Sequence, residues 1–217
     1  MHIVGLLASP RPRGNTAALL DEVLTGAACG GATVETIFTN DLDIRPCQNC
    51  GACGKTGRCK YHDDMDRLYA AFEHLDGLVL ASPIFFGSVS AQAKVVIDRC
   101  QAYWSAKYIA KRQPFGAKGL NGTRRGLFVA TAGLPGKPEL FAPARATVKL
   151  FFKALNVSYA GEVLAGDTDR RSVREDQILL AGAREAGRQL AVELGVTLTG
   201  RAVLADPDRL GDHPDQE

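Results

Sequence analysis

His2 to Thr16 reads HIVGLLASPRPRGNT, a short apolar strand over 2–8 that runs into a polar turn and then into a helix. The turn, Ser9-Pro10-Arg11-Pro12-Arg13-Gly14-Asn15-Thr16, is suited to a phosphate. The small polar side chains of Ser9, Asn15 and Thr16 and the guanidinium groups of Arg11 and Arg13 gather at a helix N-terminus. There, free amides and the helix dipole favour an anion. In an α/β chain, a turn after the first strand lies at the carboxyl edge of the sheet, where such folds bind ligands. The pattern is neither GxGxxG nor GxxxxGK[ST], each of which needs glycine or lysine where this turn has other residues. A monophosphate therefore fits better than a dinucleotide or a nucleoside triphosphate. The alternative is an ordinary polar loop with a Thr or Asn cap.

Outward from this turn, apolar β-branched runs alternate with helical stretches, the signature of a parallel sheet covered on both faces. The pattern predicts a helix from Asn15 to about Cys29, a strand over Thr33–Thr39, and a cysteine-rich loop up to the acidic helix start at Asp63-Asp64. A fully apolar central strand follows over Gly77–Ser82, then a helix over Ser90–Ala106 and a long basic, Gly-rich connection over 107–124. Strands at Gly126–Thr131 and Val157–Ala165 and helices at Glu139–Leu155 and Ser172–Leu194 complete five βα units. The expected fold is an α/β, flavodoxin-like three-layer sandwich whose five-stranded parallel sheet has the order 2-1-3-4-5 and whose crevice accepts FMN. One domain is expected over 1–195, with a cysteine-rich insert at 41–62. Residues 196–217 read as a C-terminal tail, part strand-like and part disordered and acidic.

In that topology three strand-exit loops face one site. The first holds the phosphate. The second, Pro83-Ile84-Phe85-Phe86-Gly87-Ser88, offers aromatic rings and main-chain amides to a planar ring. The third, beginning Thr131-Ala132-Gly133, lets main-chain amides approach the ring's other edge. Alternatively, Phe85 and Phe86 cap the core, and the third loop is any βα turn.

The totals narrow the classes. The 217 residues carry 26 Lys and Arg against 24 Asp and Glu, a net charge of +2, which asks for neither nucleic acid nor an anionic membrane as partner. No apolar run approaches the ~20 residues of a membrane span. The sequence starts directly on a strand without signal-peptide anatomy, so a cytoplasmic protein is expected. Of six cysteines, four fall within thirteen residues, which in a reducing compartment points to metal or redox chemistry. These are Cys47, Cys50, Cys53 and Cys59, spaced CxxCxxCxxxxxC. Thiolates at this spacing can turn inward on one [4Fe–4S] cubane, whereas zinc usually takes two separated CxxC pairs. Free or redox-active thiols and zinc remain the alternatives. Cys29 and Cys100 stand on helices and read as buried small hydrophobes.

These motifs resemble the flavodoxin-like NAD(P)H-dependent FMN reductase family, and more narrowly its iron–sulfur flavoproteins, over residues 1 to about 165. The resemblance implies that Ser9–Thr16 grips the FMN phosphate and that the loop from Ser82 to Ser88 lies along the ribityl chain and isoalloxazine. It also implies that all four clustered cysteines are ligands, and that packed subunits, a homodimer or homotetramer, bring cluster and FMN together. Beyond residue 165 no motif carries the likeness.

The chemistry then belongs to the cofactors, and no catalytic acid or base is expected. In agreement, His2, His62, His74 and His213 are scattered, and neither Ser88 nor Ser90 has an evident His partner. His62 reads as an exposed loop histidine, with a role at the cluster's edge as the sharper alternative. Tyr103, Trp104 and Tyr108 either close a neighbour's flavin site or pack beneath the 107–124 connection. The expected function is an FMN-dependent oxidoreductase taking electrons from NAD(P)H or a protein donor to a small-molecule or protein acceptor through the cluster. The alternatives are a cluster-free quinone or azo reductase, a flavodoxin-type electron carrier, and a zinc-stabilised binding module without flavin.

Overall fold

The computed structural model describes residues 1–112 and 124–202, with side chains through residue 196. Most of the expected 107–124 connection, residues 113–123, and the end of the expected tail, residues 203–217, lie outside the described residues.

Five parallel strands form the sheet: β1 (His2–Leu7), β2 (Thr33–Phe38), β3 (Gly77–Phe85), β5 (Arg124–Thr131) and β6 (Val157–Ala165), in the order β2-β1-β3-β5-β6. The two-residue β4 (Ser88–Val89) folds back antiparallel on the end of β3, and without it the order is the predicted one. β1 and β3 lie in register from Ile3 opposite Gly77 to Leu7 opposite Ala81. Both are almost wholly buried, as their unbroken apolar runs require, while β2 and β6 at the edges are partly exposed.

Alternate side chains leave the sheet on opposite faces and found two cores. Val4, Leu6, Leu78, Leu80 and Phe128 pack with α3 (Met65–His74), α4 (Ala91–Arg99), α5 (Gln101–Tyr108) and α6 (Pro138–Ala154). Ile3, Leu7, Val79, Leu127 and Val129 pack with α1 (Asn15–Cys29) and α7 (Gln177–Ala202). Each fully buried Leu, Ile or Phe is worth about 1.5–3 kcal/mol relative to exposure. The α1–α7 contact is close because glycine makes it so. A Cβ on Gly26 would lie 1.7 Å from the Arg184 carbonyl oxygen.

Four expectations are corrected. The helix predicted over 90–106 breaks at Cys100 into α4 and α5, and the Arg99 carbonyl beside the break accepts the Tyr69 hydroxyl at 2.8 Å. The last helix begins later than Ser172. A 3₁₀ turn over Val173–Glu175 comes first, with Ser172 Oγ capping the Arg174 amide at 3.3 Å. It also ends later, so residues 196–202 are helical where a tail was expected. Cys29 is exposed rather than buried, while Cys100 is buried as read. Among the described residues no helix is long and apolar enough to cross a membrane.

Candidate functional site

The three predicted loops adjoin one another, held by specific bonds. Ser90 Oγ donates to the Ala8 carbonyl at 2.6 Å, and the Ser90 amide donates to Ser82 Oγ at 2.9 Å, which fastens the end of β3 to the end of β1. Thr16 Oγ1 and Thr131 Oγ1 share a buried hydrogen bond of 2.7 Å, which fastens the first turn of α1 to the end of β5.

In the first loop Ser9 is buried, its Oγ accepting the Arg11 amide at 3.2 Å, while Arg11 and Arg13 are exposed. Gly14 is the N-cap of α1 and is extended, and no side chain caps the helix. The Ala18 amide is the one that closes on the Gly14 carbonyl. The amides of the preceding helical residues are the unmatched donors every helix start carries. Asn15 spends its side chain elsewhere: Nδ2 donates to the Thr168 carbonyl at 3.3 Å, and Oδ1 accepts Ser172 Oγ at 3.1 Å and the Val173 amide at 3.2 Å. With Thr16 bonded to Thr131, the side chains of Asn15 and Thr16 are both committed within the protein, where contacts to a phosphate were expected, and Arg11 and Arg13 remain exposed beside them.

The second loop is a hairpin with Phe86 and Gly87 at its tip, at φ of 50° and 75°. Two left-handed residues in a two-residue turn match the type I′ geometry that strand twist favours, but for a Phe that conformation costs about 1–3 kcal/mol. Phe85 is 48% exposed and Phe86 fully exposed, so neither caps the core. Pro83 and Ser88 are half-buried, and Ile84 is buried beneath them.

The third loop is braced by a segment that sequence reading passed over. The Ala132 amide donates to the Ala165 carbonyl at 2.8 Å, and the Ala132 carbonyl accepts both the amide and the hydroxyl of Thr168 at 3.0 Å. Gly133 lies so close to Asp169 that a Cβ there would fall 2.2 Å from Oδ2. Residues 166–173 thus form a fourth wall, touching Asn15, Ala132 and Gly133. The available signal was Gly166-Asp167, a turn-forming pair whose Asp adopts φ 61°.

The four clustered cysteines come together. Cys47, Cys50, Cys53 and Cys59 all line one cavity of about 180 Å³, together with Arg99, Gln101, Ala102 and Ser105. The short α2 (Ala52–Thr56) sits between Gly51 and Gly57, both left-handed at φ 75° and 74°, and these two turns fold the loop around the cavity. Cys53 Sγ stands 3.4 Å from Ser105 Oγ. Among the described residues no group of three or more His, Cys, Asp or Glu side chains is placed to hold a metal ion. Four thiols lining one cavity are a donor set of the kind that a zinc ion or an iron–sulfur cluster takes.

Arg99 and Asp63 were not singled out from the sequence as a pair. Arg99 is buried, and its guanidinium contacts Asp63 at 2.6 and 3.1 Å. Burial works to raise the Asp63 carboxyl, but the Arg99 bonds and the amides of Met65 and Arg45 outweigh it and hold the group below its ordinary value. Asp63-Asp64 had read simply as an acidic helix start, although Asp63 does also accept the Met65 amide at 3.0 Å. His62 is exposed and paired with Asp66 at 3.0 Å. Tyr103 is buried, and Trp104 lies against Tyr108 with ring centroids 4.3 Å apart and planes tilted by 44°.

The profile of the family described as NADPH-dependent FMN reductase matches residues 1–136. The chain belongs to that family. Within it, the chain falls among the iron–sulfur flavoproteins. It is 34% identical to an iron–sulfur flavoprotein of Archaeoglobus fulgidus over 193 residues, 86% of this chain and 81% of that one. It is 40% identical to an iron–sulfur flavoprotein of Methanocaldococcus jannaschii over 99 residues, 46% of this chain. There it spans about half of the relative, 51%. Among solved structures, the NAD(P)H:quinone oxidoreductase from Methanothermobacter marburgensis superposes with a TM-score of 0.67 at 18% identity, covering 88% of this chain and 96% of that one. At that identity the likeness shows the fold alone. Family membership classes the chain with NAD(P)H-dependent FMN oxidoreductases.

Proposed function

We propose that this FMN reductase family member binds FMN in the crevice between the three loops. It also holds a [4Fe–4S] cluster on Cys47, Cys50, Cys53 and Cys59, and it passes electrons from NAD(P)H or a protein donor to a small-molecule or protein acceptor. The observation that carries the reading is that four thiols from one short loop wall a single cavity in a chain whose relatives are named iron–sulfur flavoproteins.

Each loop has its own task. Arg11, Arg13 and the main-chain amides around Gly14, Asn15 and Thr16 receive the phosphate, with Ser9 shaping the turn. Pro83, Ile84, Phe85, Phe86, Gly87 and Ser88 flank the ribityl chain and the ring. Thr131, Ala132 and Gly133 close its other edge. When bound, FMN accepts a hydride and returns electrons singly or in pairs, and an iron–sulfur cluster carries them one at a time. No side chain needs to donate or accept a proton, since the flavin supplies the redox chemistry. A homodimer or homotetramer that brings one subunit's cysteine loop to another's crevice completes the reading. It places the protein in the cytoplasm, with neither nucleic acid nor membrane as partner.

The test is an anaerobic absorption spectrum with iron and sulfide analysis. Flavin bands with a broad visible shoulder, and iron and sulfide in cluster proportion, are expected. Cys50→Ser should remove the shoulder and leave the flavin. Flavin bands alone would reduce the protein to a cluster-free reductase, and a colourless protein holding one zinc would overturn both assignments. Steady-state NADPH oxidation with added quinone separates an enzyme, which turns over, from an electron carrier, which does not.

A further inference from the structure

One guanidinium closes the cysteine loop. Arg99 Nη1 donates to the Arg45 carbonyl at 2.7 Å, and Nη2 reaches the Tyr61 carbonyl at 3.4 Å. Residue 45 lies two positions before Cys47, and residue 61 two positions after Cys59, so the same planar group ties the loop's entry to its exit. Asp63 completes the clamp, gripping Arg99 through both oxygens and accepting the Arg45 amide at 3.1 Å. The Arg45 guanidinium itself lies over the Tyr61 ring, 4.6 Å from its centroid, and joins the two ends a second time.

The clamp leaves something over. Arg99 is 1% exposed and stands in the wall of the cysteine cavity, and its Nε is buried without a hydrogen-bond partner. Buried donors are rarely left unmatched in folded proteins, and an exception asks for an unseen partner. A buried cation in the wall of a cavity that four thiols also line is the complement of a sulfur-rich, negatively charged group. Hydrogen bonds to cluster sulfurs and nearby charge are what set a cluster's potential.

We propose that Arg99 is the positioning residue of the iron–sulfur site: it holds the two ends of the cysteine loop together and raises the cluster's reduction potential, with Asp63 partly offsetting its charge. This assignment rests on the cluster reading above. Reduction adds one electron, and so one negative charge, beside Arg99. A fixed cation there favours the reduced state, and a fixed anion disfavours it. The two members of the pair therefore act on the potential with opposite signs, which a scaffold role alone would not produce.

The experiment is an anaerobic redox titration of the purified full chain, followed by electron paramagnetic resonance, for wild type, Arg99→Gln, Arg99→Lys and Asp63→Asn. Arg99→Gln should lower the midpoint, shifting the reduced-to-oxidised ratio at fixed potential roughly tenfold, about 59 mV for a one-electron couple. Asp63→Asn should raise it. Arg99→Lys should keep the wild-type potential while losing iron faster to a chelator, since an ammonium cannot span both carbonyls and the carboxylate. Should Arg99→Gln fail to load iron, the Lys and Asn variants decide. A wild-type value in the first with an upward shift in the second supports the assignment, and any other pair of values overturns it. Unchanged potentials throughout, or shifts of the same sign at Arg99→Gln and Asp63→Asn, overturn it as well. Wild-type protein without iron overturns the cluster reading itself, and is seen before any variant is made.

Discussion

Thr16 Oγ1 and Thr131 Oγ1 meet at 2.7 Å in the buried floor of the crevice, so the phosphate loop and the third loop share one hydrogen bond between hydroxyls. Removing one partner strands the other. Thr131→Val should destabilise the fold by about 1–3 kcal/mol and loosen FMN through the displaced first turn of α1. Replacing both residues with Val removes donor and acceptor together and should recover most of the stability. Urea unfolding of the two single variants and the double variant checks this, and additive losses would contradict it.

Arg11 is exposed at the mouth of the first loop and bonds through charge rather than through packing. Arg11→Ala should weaken FMN binding by about 1.5–3 kcal/mol, the range for hydrogen bonds to charged groups. The loss should shrink as salt screens the approach. Fluorescence titration of deflavinated protein at low and high ionic strength measures both effects.

Two glycines on neighbouring helices predict opposite outcomes. Gly26 on α1 faces the Arg184 carbonyl, and an added Cβ would sit 1.7 Å from that oxygen, whereas Gly182 on α7 has nothing within 4 Å. Gly26→Ala should push the helices apart at a cost of about 1–3 kcal/mol. Gly182→Ala should stabilise by about 0.5–1 kcal/mol through helix propensity alone. Thermal unfolding of the two variants compares them directly.

Glu162 on β6 takes a two-pronged contact from Arg145 on α6 and a hydrogen bond from the Tyr159 hydroxyl. The Arg145 bonds, against a smaller effect of burial, hold its carboxyl below the usual 4.5. A carboxyl lowered in the folded state contributes stability that is full above about pH 4.5 and is lost as pH falls through its folded value. The gap in urea midpoint between wild type and Glu162→Gln should therefore be widest at neutral pH and narrow below pH 4.5. An equal gap at both would contradict the linkage.

The sheet was legible because its signal is local. Apolar runs such as Gly77–Ser82 and the polar turn after residue 8 state their own roles, and strand order follows from parallel topology. Boundaries decided by tertiary contacts were not legible: the break at Cys100, whose neighbouring carbonyl is met by Tyr69 from another helix, and the extension of β3 into a hairpin with β4. The same holds for the site. The spacing of Cys47, Cys50, Cys53 and Cys59 brought four thiols into one short loop, and all four line one cavity. The Arg99–Asp63 clamp joins residues 36 apart and has no spacing rule. The preoccupation of Asn15 with residues 168–173 arises from a segment without a motif.

The central claim is that the turn from Ser9 to Thr16 recognises the phosphate of FMN, and comparing the binding of FMN and riboflavin to the deflavinated protein tests it most directly. The two differ only in that phosphate. Tight, stoichiometric FMN binding with riboflavin weaker by two or more contacts, each worth about 1.5–3 kcal/mol, is the predicted result. Equal affinity for the two, or no binding of either, would contradict it.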